Sequence, residues 1–551
     1  MRRHQTTPQY ASTGRRAECC PIHAVSTIQC CRRQPKRPGS CYSSRHPTPV
    51  GIPNFLNVSR MSLSIFWRRA LIHLLCAALV LLPMPASAEE ADRNATLPEL
   101  GDSSSGLFST QMEYDLGRAW LKAFRSQVRV DPDPQLQVYL EELIYRLATN
   151  SQLTDRRLQI VVVDNRTINA FAVPGGVIGV HNGAFLVATS EAELASVLSH
   201  ELAHLSQRHF ARGVEQQQKA SVPTMAAMLG ALVLAATAGG DAGIAALTAT
   251  QAAALQNQLS FSRENEQEAD RIGMSTLVGA GYDPNAFPTM FDNMQSSMRF
   301  SSGRNIPEFL LTHPLTESRI SDTRNRAREY PRKVFVDNLD FQLMRARVEM
   351  RYAENPGEAI KRFKARLKNS PRSPEADHYG LALAYTAQGD TARAREQLAP
   401  LLQKDPRRIA YVIADTQIDL TAGQYQQAIA KLQQQLLISP GNHPLTMTLA
   451  DALLKANQPQ RAEAVLAEHV KTHREDPSVW YLLAETHGLA GNIVGVHQAR
   501  AEYFVLTGAL DQAQQQLKYA LPLVRNDNLT SAKIEARMRQ ISDMKEMMKR
   551  L

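Results

Sequence analysis

Beyond residue 88 the sequence contains no cysteine; Cys19, Cys20, Cys30, Cys31, Cys41 and Cys76 account for all six. That part of the chain can form no disulfide and offers no thiolate to a metal, so any transition metal must be held by His and carboxylate. It also lacks a net positive charge. The formal net charge of +9 arises in the first 88 residues, which carry twelve of the 62 Lys and Arg but one of the 53 Asp and Glu, leaving 50 basic against 52 acidic residues. A basic nucleic-acid footprint is therefore not expected, and no nucleic-acid partner is assigned. Long apolar runs are missing too. The two candidates, Ala70 to Leu82 and Met225 to Ala238, have thirteen and fourteen residues, short of the roughly 20 that a spanning helix needs.

What is present first is an N-terminal region without a hydrophobic period. Residues 1–60 are rich in Arg, Cys, Pro and Ser and cannot bury a core, so they are expected to be non-structural or a mis-assigned extension, with Met61 as the real start. Trp67-Arg68-Arg69, the apolar run that follows and Ala86-Ser87-Ala88 have the order of a secretory signal peptide over 61–88. This implies export.

The chemistry is announced by His200-Glu201-Leu202-Ala203-His204. Ser190 and Glu193 read as a capping box that starts a helix, predicted to end near Gly213, which places two imidazoles four residues apart on one face. That spacing suits zinc, with Glu201 beside it as general base. Leu194, Leu198, Leu202 and Leu205 give the helix an apolar side to bury. The positions expected of a metzincin glycine and third histidine are Gln207 and Phe210, so the remaining ligand must lie elsewhere.

Before this helix, residues 112–148 read as helical, followed by strands over Leu158 to Val163, Ile168 to Val173 and Val177 to Val180 joined by turns at Asp164-Asn165, Pro174-Gly175-Gly176 and Asn182-Gly183. Asn169 to Ala172 is either an exposed edge that pairs with substrate or part of a buried hairpin. After the helix, residues 222–256 are Ala-, Leu- and Met-rich. They read as a hairpin covering the cleft, or as a gating or peripheral membrane-contact element.

Ser262 to Asp270 opens a further helix in which Glu266 and Asp270 share a face. Glu266 can complete the metal shell while Asp270 accepts a hydrogen bond from a ligand histidine. Glu264 and Glu268 fall on other faces and read as structural. Further on, His313 precedes a proline predicted to start a helix through Arg319 and Ile320. His313 can donate to the oxyanion, act as a fourth ligand, or simply cap or pack; Arg319 can assist or pair with a carboxylate.

The HExxH motif, the Ser262-Arg263 to Asp270 block and His313-Pro314 with Arg319 together resemble the zinc metallopeptidases of the CAAX-prenyl-protease type. Taken with the signal peptide and helical tail, the resemblance is to a periplasmic branch found in Gram-negative bacteria. It implies one Zn2+ per chain held by His200, His204 and Glu266, with Glu201, His313 and Asp270 serving the catalytic side. It also implies a setting in outer-membrane protein quality control. The membrane helices of the integral-membrane relatives are missing, so prenylated substrates are not implied.

From about residue 338 the chain reads as wholly helical. Gly389, Gly423, Asn457 and Gly491 stand 34 residues apart, the tetratricopeptide period. Stacked helix pairs of this kind present a concave surface for protein segments, and the last helix, Lys533 to Leu551, reads as a basic cap. The expected fold is mostly α: a zincin-like α+β metallopeptidase domain over 89–335, then an all-α repeat solenoid over 336–551. The expected function is zinc-dependent peptide-bond hydrolysis on misfolded or stalled outer-membrane proteins, with the repeats binding substrate or the outer-membrane assembly machinery. The alternative is a chaperone or adaptor whose protease site is largely silent.

Overall fold

The computed structural model describes residues 109–216, 262–300, 308–369 and 371–550. The expectations for residues 1–88 and 222–256 lie outside the described residues.

The region predicted as helical over 112–148 forms two helices, α1 (Thr110–Arg125) and α2 (Pro134–Thr149). Residues 126–133 separate them, and Asp133 caps α2 by accepting from Gln135 N while Pro134 takes its first turn. Three strands follow as expected: β1 (Gln159–Val163), β2 (Ala170–Val173) and β3 (Val177–His181). Their order is β1-β3-β2, with β3 parallel to β1 and antiparallel to β2. The β2–β3 turn uses Gly175 and Gly176 at φ +81° and +78°, a conformation that costs glycine little. Trp120 and Phe124 of α1 stack at 4.7 Å and meet the edge of Phe171 from β2, closing one face of the sheet.

The other face carries α3 (Gly183–Val187) and α4 (Glu191–Ser206), the helix of the HExxH motif. Ser190 caps α4 through Glu193 N as predicted, while Glu193 reaches back to Thr189 N at 2.6 Å and also accepts from Asn293. The helix is not amphipathic in the way the leucine period suggested. It is buried on every side from Glu193 to His204, since neighbouring helices cover the histidine face too. Nor does it run to Gly213. The chain turns at Arg208, φ +49°, and starts α5 (His209–Gln216); Arg208 pairs with Glu113 of α1 at 3.1 Å, which holds this uncommon backbone.

Helices α6 (Arg263–Gly279), α7 (Ala286–Phe300), α8 (Glu308–Thr312) and α9 (Glu317–Glu329) complete the described part of this unit. The helix expected from Pro314 begins at Glu317 instead, because Thr316 is its cap and accepts from Arg319 N.

The remainder is helical pairs: α10 (Leu339–Arg351) with α11 (Pro356–Lys368), α12 (Pro374–Gln388) with α13 (Thr391–Lys404), α14 (Ile409–Thr421) with α15 (Tyr425–Ile438), α16 (His443–Lys455) with α17 (Pro459–His469), and α18 (Pro477–Ala490) with α19 (Ile493–Leu506). Then come α20 (Leu510–Ala520) and α21 (Asn528–Arg550). The four residues of the period all turn left-handed, Gly389 at φ +83°, Gly423 at +73°, Asn457 at +56° and Gly491 at +84°. Each ends the first helix of a pair, where glycine or asparagine is favoured. The pair α10–α11 lies upstream of the period read from sequence.

One apolar core runs from Leu136 to Ile418. It crosses residue 335 without a break: Phe341 of α10 stacks on Phe185 of α3 at 6.1 Å, and Arg347 pairs with Asp133. Among the described residues no helix is long and apolar enough to cross a membrane.

Candidate metal centre

Two packed helices, α4 and the buried face of α6, bring the expected residues together. Gly273 of α6 lies against α4 where a Cβ would come 3.0 Å from His200 N. This small contact lets the helices approach closely enough for Glu266 and Asp270, on the same face of α6, to reach the histidines of α4.

His200 Nε2 and His204 Nε2 face one another at 3.0 Å. A hydrogen can occupy only one of two such nitrogens, so a lone pair points into the space between them. Glu266 Oε1 lies 3.5 Å from His204 Nε2, and its other oxygen lies 3.6 Å from His200 Nε2. His313, in the loop after α8, places Nδ1 2.9 Å from Glu266 Oε1 and 3.4 Å from His200 Nε2. One potential ligand atom from each of His200, His204, Glu266 and His313 lies within 4.8 Å of the others, and all four residues are buried. Phe309 stacks on His313 at 4.8 Å.

Around these four, other side chains fix orientation and charge. His200 Nδ1 is 2.9 Å from Asp270 Oδ1. Arg319 grips Asp270 with Nε at 2.7 Å and Nη2 at 2.8 Å, and reaches Glu266 with Nη1 at 2.6 Å. Arg319 thus pairs with carboxylates, one of its two expected roles. His204 Nδ1 meets His209 Nδ1 at 2.9 Å, and His209 Nε2 meets Glu268 Oε2 at 3.1 Å. Sequence reasoning missed His209 and gave Glu268 no part, because only the turn at Arg208 folds α5 back onto α4. A histidine five residues after His204 was the one visible hint.

The electrostatics favour a cation. Burial opposes an imidazolium at His200, yet Asp270 and Glu266 outweigh it and hold its pKa up at about 9. Burial and the neighbouring His200 keep His204 well below the ordinary histidine value. Glu266 is buried, but His313 and His200 draw it well below the usual carboxylate range. Burial raises Glu201 despite His313 and His200. Glu201 Oε1 lies 3.6 Å from His313 Nε2 and has no hydrogen-bond partner among the described residues. Two imidazoles, an ionised carboxylate and a further imidazole are the donor chemistry of a borderline divalent metal, and a metal cofactor fits these residues.

β2 pairs with β3 on one side, and its other side lies toward α4, so the stretch expected as an edge is an edge of the described sheet. Its residues are also largely buried. A pocket of about 80 Å³ bounded by Ala172, Pro174, His204 and Phe210 opens beside the centre. A larger cleft lies elsewhere, between the first two helices and the repeats.

Residues 134–327 match peptidase family M48, and residues 419–486 match the tetratricopeptide repeat. The beta-barrel assembly-enhancing protease of Escherichia coli K12 is 35% identical over 466 residues, 84% of this chain and 94% of that protein. A putative beta-barrel assembly-enhancing protease of Vibrio cholerae is 35% identical over 475 residues, 86% of this chain and 97% of that one. The mitochondrial metalloendopeptidase OMA1 of Arabidopsis thaliana is 33% identical over 172 residues, 31% of this chain and 32% of that protein.

Proposed function

The chain belongs to the beta-barrel assembly-enhancing proteases, metallopeptidases of family M48 with tetratricopeptide repeats, and we propose that it is a periplasmic zinc endopeptidase acting on misfolded or stalled outer-membrane proteins. The observation that carries this reading is the convergence of His200, His204, Glu266 and His313 with Glu201 alongside. We assign His200, His204 and Glu266 as the ligands of one zinc ion at this centre. Residues 89–335 form the peptidase domain and 336–551 the repeat domain that recruits substrate or assembly machinery.

Zinc bound there would supply a Lewis acid to the scissile carbonyl and to the attacking water. The chain's own residues do the rest. Glu201 accepts the proton of the attacking water and returns it to the leaving amine; burial, by raising its pKa, strengthens it as a base. Asp270 holds His200 in the tautomer whose Nε2 is basic, and Arg319 keeps Asp270 and Glu266 ionised. The side of β2 that does not pair with β3, toward α4 and beside the pocket at His204, is where we place the backbone of an extended substrate.

His313 has two possible parts, and its position suits both. As a fourth ligand it would hold the resting enzyme back, and His313→Ala would raise casein hydrolysis and self-cleavage. As an oxyanion donor it would promote turnover, and the same change would lower kcat by about a hundredfold or more with zinc retained. Wild-type behaviour in both assays would eliminate both parts.

The reading as a whole is tested with Glu201→Gln. This variant should keep its zinc, lose casein hydrolysis by about 10²–10⁴-fold and retain outer-membrane proteins as trapped substrates. Undiminished hydrolysis by Glu201→Gln, or by wild-type protein stripped with a chelator, would overturn it. Full support of outer-membrane assembly by the inactive variant would favour the chaperone alternative.

A further inference from the structure

Three more histidines meet within the repeats. His443 opens α16, His469 closes α17, and His473 lies in the turn that leads to α18. The first two are buried and the third is half-buried. Their rings lie within 22° of parallel, with centroids 4.0 to 5.1 Å apart. One ring nitrogen of each falls within 4.8 Å of the other two. His443 Nδ1 faces His469 Nε2 at 2.8 Å, the same approach of two imidazole nitrogens that His200 and His204 make at 3.0 Å.

The position of the hydrogens follows from the acceptors. His443 Nε2 is 3.3 Å from Asp476 Oδ2. A carboxylate only accepts, so the ring hydrogen is there and Nδ1, facing the cluster, is the basic nitrogen. His473 Nδ1 is 3.3 Å from the carbonyl of His469. That oxygen also only accepts, which leaves Nε2 as the basic nitrogen of His473. Burial and the two neighbouring rings hold His469 down to about 3, and burial lowers His443 as well. Both shifts favour the neutral ring, the state in which imidazole binds metal.

We propose that His443, His469 and His473 form a second metal site, for zinc or another borderline divalent transition ion, with Asp476 as the carboxylate that orients His443. Three imidazoles and no thiolate select this class of ion over calcium or magnesium. The orienting carboxylate repeats the role of Asp270 beside His200. The site forms part of the wall of a cleft of about 1080 Å³, where His443, His473 and Asp476 of the repeats stand opposite Arg125, Glu141 and Tyr145 of α1 and α2. A metal there would pin the 470–476 turn and so fix the shape of that cleft, in the way structural ions fix short loops.

The test counts metal in the full protein, repeats included, after zinc loading and dialysis. Elemental analysis should find two zinc ions per chain in wild-type protein and in Glu201→Gln, and one in His204→Ala. His473→Gln, changed at a half-buried position, should also hold one and keep casein hydrolysis at the wild-type rate. His204→Ala with His473→Gln should hold none. Cobalt(II) loading of His204→Ala gives a readout that needs no change in the cluster, and should show the visible absorption of a nitrogen-ligated ion. Folded His204→Ala that takes up neither zinc nor cobalt(II), or folded His473→Gln that holds as much zinc as wild type, would overturn the site.

Discussion

His209 Nδ1 lies 2.9 Å from His204 Nδ1, and its other nitrogen lies 3.1 Å from Glu268. The contact engages one nitrogen of His204 and turns the other toward the centre. Loss of such an orienting partner costs about 10–100-fold in metal affinity. His209→Ala is expected to weaken zinc binding by that factor with the fold intact, as read by chelator competition. Unchanged affinity would remove His209 from the site.

Arg319 is buried between Asp270 and Glu266 and touches both. Removing one member of a buried ionic group leaves the others uncompensated and costs about 3–5 kcal/mol. Arg319→Met should lower the urea midpoint accordingly. Arg319→Lys should not restore it, because lysine has no planar fork to engage Asp270 through two nitrogens.

Acid should weaken the fold at His181. Burial lowers its pKa from 6.5 to about 4, so between those values the unfolded chain takes up the proton and the folded one does not. The contribution is complete above pH 6.5 and disappears as pH falls toward 4, about 3 kcal/mol in all. A His181→Gln variant should lose less stability between pH 7 and pH 4 than wild type. Equal losses in thermal melts would show that other groups dominate.

Phe341 belongs to the repeats by sequence and to the peptidase core by contact. Phe341→Ala should cost about 3–5 kcal/mol, and both parts should respond: zinc release and loss of repeat helicity should follow one transition. Two separate transitions would show that the shared core does not couple them.

The grouping of these side chains was legible in the sequence because they sit at fixed helical offsets: His200 and His204 four apart on α4, Glu266 and Asp270 four apart on α6. The 34-residue period was legible because the turn within each pair takes a left-handed residue, supplied by Gly389, Gly423, Asn457 and Gly491. What was not legible depends on long-range packing. The burial of α4 on all sides, the fold-back of His209 and the insertion of α10 into the peptidase core are settled by contacts across the chain. Gly273 stood in view, seven residues after Glu266 and three after Asp270. Its meaning required knowing which helix lay against it.

The unbroken core from Leu136 to Ile418 also bears on the order of events as the chain is made. Synthesis proceeds from the N-terminus, and a unit folds once its packing partners have emerged. His200, His204, Glu266 and His313 are all made before residue 314, yet the core that supports them still lacks Phe341, Phe363, Tyr379 and Tyr411 at that stage. The core beneath the peptidase centre is complete only once the residues of the first repeats have been added. A centre whose supporting core is drawn from residues made later is thereby left unsupported while the chain is itself unfinished.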